Sequence, residues 1–242
     1  MITEEQLREI EVLSFDCYGT LIDWETGILD AWRPMAAARH IEVSDAKLLE
    51  IYADLEATVE RGPYKSYRQV LSAVTDGLGG QLYFVPTPAE RGQLAVSLPL
   101  WKPFPDTVTA LQKLSKRFKL AVISNVDSEL FAGTEAALGS PFEWRITADQ
   151  VKAYKLSAWT FAKAAKIIGR PASRMLHAAQ SVYHDIAPAQ GLGLPTIRVN
   201  RPSRRPNVGV APWAEAKADL EVPDLKTLVE VLCPASSSLK ST

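Results

Sequence analysis

The first apolar run, Val12-Leu13-Ser14-Phe15, stops on a carboxylate, Asp16, and a Gly19-Thr20 pair follows closely. A short apolar run bounded by a turn reads as a buried strand, so Asp16 stands where the strand ends and the backbone bends. From Trp24 to Leu100 the pattern is helical and shows no convincing strand. Leu48, Ile51, Tyr52, Leu55 and Val59 repeat at helical spacing, as do Tyr67, Val70, Leu71, Val74 and Leu78, with Gly79-Gly80 as the expected stop. Thr87-Pro88-Ala89-Glu90 combines a capping box with proline at the first helical position and marks another helix start.

Beyond Trp101 the pattern alternates. Val108, Leu111, Leu114 and Phe118 predict a helix, and Leu120 to Ile123 a buried strand ending at Ser124-Asn125. Asp127 or Ser128 is the expected cap of the next helix, and Trp144 to Thr147 is a weaker strand. Ser157 is the expected cap of a helix through Phe161, Ala165 and Ile168, closed by Gly169. Met175 to Ala179 and Pro195 to Val199 supply a fourth and a fifth strand. Strands alternating with helices predict an α/β fold with a doubly wound, mainly parallel sheet. The expected division is a catalytic core of residues 1–22 and 101–234, a helical cap of residues 23–100, and a Ser-rich frayed tail at 235–242.

Composition narrows the partners. The chain has 242 residues, 47% hydrophobic and 23% charged, with a formal net charge of -1, so neither nucleic acid nor an anionic membrane is an expected partner. No apolar run approaches the ~18 residues of a membrane-spanning helix. Met1-Ile2-Thr3-Glu4-Glu5 lacks a basic-then-apolar export pattern, and the only cysteines are Cys17 and Cys233, so a reducing cytoplasm is the expected compartment.

Ligands of open α/β sheets bind at the carboxyl ends of the strands, which makes Asp16 the first candidate for chemistry. Gly19 lets the chain bend sharply, and the Thr20 hydroxyl can reach back to orient the carboxylate. Phe15-Asp16-Cys17-Tyr18-Gly19-Thr20-Leu21 resembles the nucleophile motif of the haloacid dehalogenase superfamily. The resemblance implies a Rossmann-like core and an Asp16 that forms a covalent ester or acyl phosphate. Phosphotransferase members carry a second Asp two residues on; here that position is Tyr18, as in the L-2-haloacid dehalogenase branch, where halide leaves without a proton. A phenol with a pKa near ~10 is a poor acid at neutral pH.

The resemblance also assigns later positions. Ser124 anchors substrate and Asn125 lies on the leaving-group side, although Ser-Asn after a strand is also a common turn. Lys155 matches the lysine that neutralises the nucleophile, without the usual Pro-Asp that follows it; Lys152 and Lys163 are neighbours. Ser181-Val182-Tyr183-His184-Asp185 matches the segment that positions the hydrolytic water, with Asp185 in the acid's place. Gln180, Val182 and Phe161 stand where this branch tends to carry Ser, Asn and Tyr. His184 is a candidate base or a loop-ordering residue, whereas His40 and His177 read as structural. Trp24 either lines an apolar pocket or packs in the core. The branch takes a halide- or carboxylate-binding arginine from the insert, for which Arg33, Arg61 and Arg68 are candidates without a secure match. Arg201-Pro202-Ser203-Arg204-Arg205-Pro206 reads as an exposed loop.

These residues lead to one expected reaction: Asp16 displaces a leaving group, halide first, from C2 of a small carboxylic acid, and water held by Asp185 frees a 2-hydroxy acid. Thr20 and Lys155 hold the nucleophile, with Tyr18, Trp24, Ser124, Asn125, Ser181 and His184 around the substrate. No metal or other cofactor is expected, and a homodimer is plausible from the family alone. Phe15 to Gly27 is also similar to azetidine-2-carboxylate hydrolases, which open a strained cyclic amine by the same displacement. A magnesium-dependent phosphatase and a non-catalytic binding protein are the other readings.

Overall fold

A computed structural model describes residues 2–155, 158–205 and 216–234, so Ser157, Pro206 and the tail 235–242 lie outside the described residues. The strands are β1 Val12–Phe15, β2 Lys119–Ser124, β3 Phe142–Thr147, β4 Met175–Ala179, β5 Thr196–Val199 and β6 Leu220–Val222. They form one sheet in the order β3-β2-β1-β4-β5-β6, and every pairing is parallel. The chain runs outward from β1 to β2 and β3, then returns to lay β4 on the other side of β1. That reversal makes the carboxyl end of β1 a topological switch point, where the flanking connections diverge and leave a crevice. Phe15 lies opposite Val122 of β2 and Ala178 of β4, so Asp16 is the first residue beyond β1.

Both sheet faces are covered, which is why β1, β2 and β4 are nearly continuous apolar runs. Leu13, Phe15, Leu120, Val122, Leu176 and Ala178 point to one face, and Val12, Ala121, Ile123, Ile146 and Met175 to the other. The alternation follows from the two-residue period of a strand.

Helices surround this sheet. α1 Glu4–Glu9 precedes β1; α2 Trp24–Ala38, α3 Asp45–Glu60, α4 Tyr67–Gln81 and α5 Pro88–Ser97 follow it, as the helical spacing of that stretch predicts. Ser44 caps α3, while Ser66 with Gln69 and Thr87 with Glu90 form capping boxes on α4 and α5. These caps satisfy orphan amides that the helices cannot pair internally. Gly79-Gly80 does not stop α4, which runs on to Gln81. The glycine serves close approach instead: a Cβ on Gly79 would lie 2.6 Å from the Phe84 carbonyl oxygen. The first sheet face shares one hydrophobic cluster with the insert, including Ile28, Leu49, Tyr52 and Leu71.

After the insert come α6 Thr107–Leu114, α7 Ser128–Ala137, α8 Ala148–Val151, α9 Ala158–Ile168, α10 Ala187–Gln190 and α11 Leu225–Leu232. Phe161, Ala164 and Ile168 of α9 cover the second face. Phe118 lies beyond the end of α6, in the turn that leads into β2. Asp127 stands at the N-cap position of α7, yet its carboxylate accepts the Tyr67 and Arg68 amides at the start of α4, at 3.0 and 3.1 Å. It therefore ties the insert to the sheet. The pattern did not single out α1, β6 or α11; β6 is a three-residue edge strand, too short for a period to register. Among the described residues no helix is long and apolar enough to cross a membrane.

Candidate active site

The turn after β1 builds the centre of the site. Asp16 is only 7% exposed. Gly19 has φ +98°, and a Cβ there would lie 2.7 Å from Gln180 Oε1 and 3.1 Å from Trp24 Nε1, so this bend requires glycine. The bend returns Thr20 to the carboxylate: its Oγ1 donates to Asp16 Oδ2 at 2.7 Å and accepts the Gln180 amide at 2.9 Å. Arg201 clamps the same turn, its Nε donating to the Thr20 carbonyl at 3.0 Å while the guanidinium pairs with Asp106 and lies 4.3 Å over the Phe104 ring. Arg201 is thus buried, contrary to the exposed loop expected there: its guanidinium satisfies carbonyl and carboxylate oxygens inside the fold. Thr20→Val removes the hydroxyl's donor and acceptor roles together. The expected cost is about 1–3 kcal/mol, with a roughly 10-fold or larger fall in kcat/KM, read by urea unfolding and steady-state assay.

One lysine serves two acids. Lys155 Nζ donates to Asp16 Oδ1 at 2.5 Å and to the Ile123 carbonyl at 3.1 Å, and lies 2.8 Å from Asp185 Oδ1. Burial works against the Lys155 charge, but Asp16 and Asp185 overcome it and hold its pKa above the ordinary value. Burial would also raise Asp185, yet Lys155 and His177 pull its pKa down to about 2. For Asp16, burial raises the pKa, Lys155 lowers it and Asp185 raises it again, leaving it above the ordinary 3.8. Asp185, which has His177 as well as Lys155 beside it, is the better stabilised anion, and Asp16 is the more basic carboxylate.

His177 is an unforeseen member of this network. It is fully buried in β4, its Nε2 3.1 Å from Asp185 Oδ1 and its Nδ1 2.9 Å from Ser14 Oγ. Ser14 and His177 are register partners, the two polar residues interrupting adjacent apolar strands on the same face. That coincidence is a sequence signal only once the pairing is known. Phe161 packs edge-on against the His177 ring, with centroids 5.0 Å apart, instead of lining the crevice.

The other sequence-predicted residues divide into two groups. Asn125 Oδ1 accepts the Lys155 amide at 2.8 Å, and its Nδ2 donates to the Glu60 carboxylate at 3.2 and 3.3 Å. Ser124 is 3% exposed, and its Oγ has no hydrogen-bond partner among the described residues. Ser181 Oγ lies 3.1 Å from His184 Nδ1, and His184 Nε2 is 3.9 Å from Glu60. Burial lowers the His184 pKa to about 4, so the ring is neutral at pH 7. Trp24 begins α2, with its ring 5.6 Å from Tyr52 and the Arg205 guanidinium 4.7 Å above it. Tyr18, by contrast, gives its hydroxyl to Thr134 at 2.8 Å and its ring to Trp101, so it does not touch the Asp16 carboxylate.

Of the insert arginines, Arg33 pairs with Asp30 and Asp45, Arg68 pairs with Glu129, and Arg61 is exposed at the end of α3. None of these three is seen against Asp16. The α3 residue that bonds to Asn125 is an acid, Glu60, with a second acid, Glu56, one turn earlier. Glu56 accepts from the Tyr67 and Tyr52 hydroxyls at 2.6 and 3.0 Å, and Glu60 holds Asn125. Tyr52, Glu56 and Glu60 recur every four residues along the buried stripe of α3, a pattern visible in the chain but submerged by its apolar neighbours. Beyond the insert, Arg205 pairs with Glu25 at 3.3 Å, so the loop after β5 supplies the guanidinium beside Trp24.

Comparison with known proteins agrees with this architecture. Haloacetate dehalogenase H-2 of Moraxella sp. (strain B) is 24% identical over 201 residues, covering 81% of this chain and 88% of its own. The crystal structure of the L-2-haloacid dehalogenase PA0810 superposes with a TM-score of 0.79 at 21% identity, covering 93% of this chain and 100% of that one. L-2-haloacid dehalogenase from Xanthobacter autotrophicus does so with a TM-score of 0.77 at 22% identity, again covering 93% and 100%. At these identities the structural likenesses establish the fold. The haloacid dehalogenase-like hydrolase family model matches residues 10–193, three quarters of the chain and all of the contacts around Asp16 except those from the loop after β5. With that match, the chain belongs to the haloacid dehalogenase-like hydrolases.

Proposed function

We propose that this protein displaces a leaving group from C2 of a small 2-substituted carboxylic acid through a covalent ester on Asp16. One observation carries the reading: the Asp16 carboxylate, at the switch point of the sheet, has one oxygen held by Thr20 and the other by a lysine shared with Asp185. Asp16 attacks C2, the C2 bond to the leaving group breaks, and its electron pair departs with that group. Ser124 and Asn125 hold the substrate at the end of β2. Lys155 and His177 both approach Asp185 Oδ1, and Oδ2 takes the hydrolytic water. That water attacks the Asp16 carbonyl carbon and frees a 2-hydroxy acid. Residues 23–100 act as a cap, tied down through Asp127 and Asn125.

Halide is the first leaving group to test, as in the haloacid dehalogenases the chain resembles. The acids of α3 favour a second reading, an amine leaving from a strained ring, as in azetidine-2-carboxylate. A magnesium phosphatase fits the donor set poorly. Lys155 already stands between the two carboxylates a magnesium ion would need, and Tyr18 replaces the second acid.

The covalent step is tested by a single turnover of excess enzyme on L-2-chloropropionate in ¹⁸O-labelled water. The label is expected in the Asp16 carboxylate, found by peptide mass spectrometry; label found only in the product hydroxyl would show direct attack by water. The pH profile supplies a second check. Asp16 attacks only when ionised, and its pKa lies above 3.8, so kcat/KM is expected to fall as pH drops through a value higher than that. Asp185, at about 2, remains ionised throughout that fall. An acid limb lying below 3.8 would exclude Asp16 as the group it reports.

A further inference from the structure

We propose that the buried Ser14–His177 pair positions Asp185 for hydrolysis of the Asp16 ester, the second step of the reaction, and contributes little to the first. The inference deepens the displacement reading above and rests on it.

Ser14 and His177 lie opposite each other on β1 and β4, the two middle strands of the sheet. Each is fully buried and is the one polar residue of its strand. A hydroxyl and an imidazole in such a place cost free energy unless both find partners. Their partners form a single line. Ser14 Oγ lies 2.9 Å from His177 Nδ1, His177 Nε2 lies 3.1 Å from Asp185 Oδ1, and Lys155 Nζ lies 2.8 Å from that same oxygen. The line ends at Asp16 Oδ1, 2.5 Å from Lys155 Nζ.

The carboxylate fixes the direction of the bonds. Asp185 is ionised at pH 7 and can only accept, so His177 Nε2 carries a proton and donates it. Nδ1 accepts the Ser14 hydroxyl, whose other acceptor, the Leu176 carbonyl, is more distant at 3.3 Å. The Phe161 ring, edge-on with centroids 5.0 Å apart, packs the imidazole in place. Lys155 and His177 therefore both hold Oδ1, which restrains the carboxylate from turning and keeps Oδ2 for the water. Donation by His177 also makes Asp185 a weaker base, so the gain is one of placement.

The two steps draw on this hold unequally. In the first, Asp16 attacks while held by Thr20 and Lys155, and Asp185 forms no bond. Esterification then removes the Asp16 charge and leaves Lys155 with one anion, Asp185. The carboxylate would follow the ammonium from that point, and His177 is the donor that keeps it in place. Water adds to the Asp16 carbonyl carbon as one of its protons passes to Asp185 Oδ2. The bond from that carbon to the ester oxygen breaks, its electron pair stays on the oxygen bonded to C2, and the Asp185 proton moves there. The 2-hydroxy acid departs, and the second water proton leaves Asp16 for solvent.

The test follows L-2-chloropropionate with wild type, His177→Phe, His177→Gln and Ser14→Ala, reading chloride by rapid quench and the Asp16 ester by intact mass. His177→Phe keeps a ring for Phe161 and loses the donor, whereas His177→Gln restores an N–H near the position of Nε2. In His177→Phe the ratio of the chloride burst rate to the steady-state rate is expected to rise about 10- to 100-fold, the scale of a misplaced group. Ester should accumulate towards one per active site. His177→Gln is expected to recover part of the ratio. Ser14→Ala should shift it less, in the same direction, and supplies the reading if His177→Phe does not fold. Equal slowing of burst and steady state without ester would reduce the pair to a structural role and overturn the proposal, as would wild-type kinetics in His177→Phe. Chloride released with no ester in any of the four proteins would instead defeat the covalent reading itself. Chloride released by none of them would remove both.

Discussion

Asp16→Asn is expected to stop turnover, lowering kcat by roughly 10⁴-fold or more, the scale on which removal of a covalent nucleophile acts. The amide nitrogen and oxygen cannot form the ester, yet the side chain keeps its shape and its contact with Thr20. The fold should persist, because Lys155 retains Asp185 at 2.8 Å and the Ile123 carbonyl at 3.1 Å. Turnover assays with either substrate class, together with intact mass to exclude deamidation back to aspartate, make the check. An active, undeamidated Asp16→Asn protein would end the covalent reading.

Lys155→Met should damage both catalysis and folding. The lysine is 2% exposed, and its ammonium is the charge that lets Asp16 and Asp185 be buried together. Methionine fills similar volume but leaves the two acids facing each other without a counterion. Removing one partner of a buried charge network typically costs about 3–5 kcal/mol. Asp16 would also lose the contribution that lowers its pKa, moving further above 3.8 and holding its proton to higher pH. Turnover at pH 7 is expected to fall about 10³-fold, with partial recovery as pH rises and Asp16 ionises. Urea unfolding and a kcat profile between pH 6 and 9 read the two effects separately. In an Asp16→Asn background the folding cost of Lys155→Met should shrink, because only one acid then lacks its partner. Full stability together with full activity in Lys155→Met would show that the ion pair is incidental.

The same geometry explains the limits of pattern reading. Periodicity and caps are local, and they located β1, β4 and the insert helices α3, α4 and α5, the last by its capping box at Thr87, because each signal lies within a few residues. Gly79-Gly80 misled because glycine serves two purposes, ending helices and admitting close approach, and only the approach of the Phe84 carbonyl distinguishes them. β6 passed unnoticed because three residues carry no period. Phe161 was expected to alter the lining of the site, but it lies behind His177 instead, a place that depends on how α9 lies over β4.

By itself the chain determined the α/β class, the succession of most strands and helices, and the carboxylate at the end of β1, since each is encoded in neighbouring residues and in the steric demands of a turn. It also carried the family motif around Asp16. Only the tertiary structure decided how charge is shared: Lys155 and Asp16 are 139 residues apart, and Asn125 and Glu60 are 65. The same holds for His177 behind Asp185, Arg201 on the turn after β1, and Glu60 where an arginine had been sought. No local pattern specifies such partners, because the free energy of a buried charge depends on which side chains the fold brings within a few ångströms of it, not on where they stand in the chain.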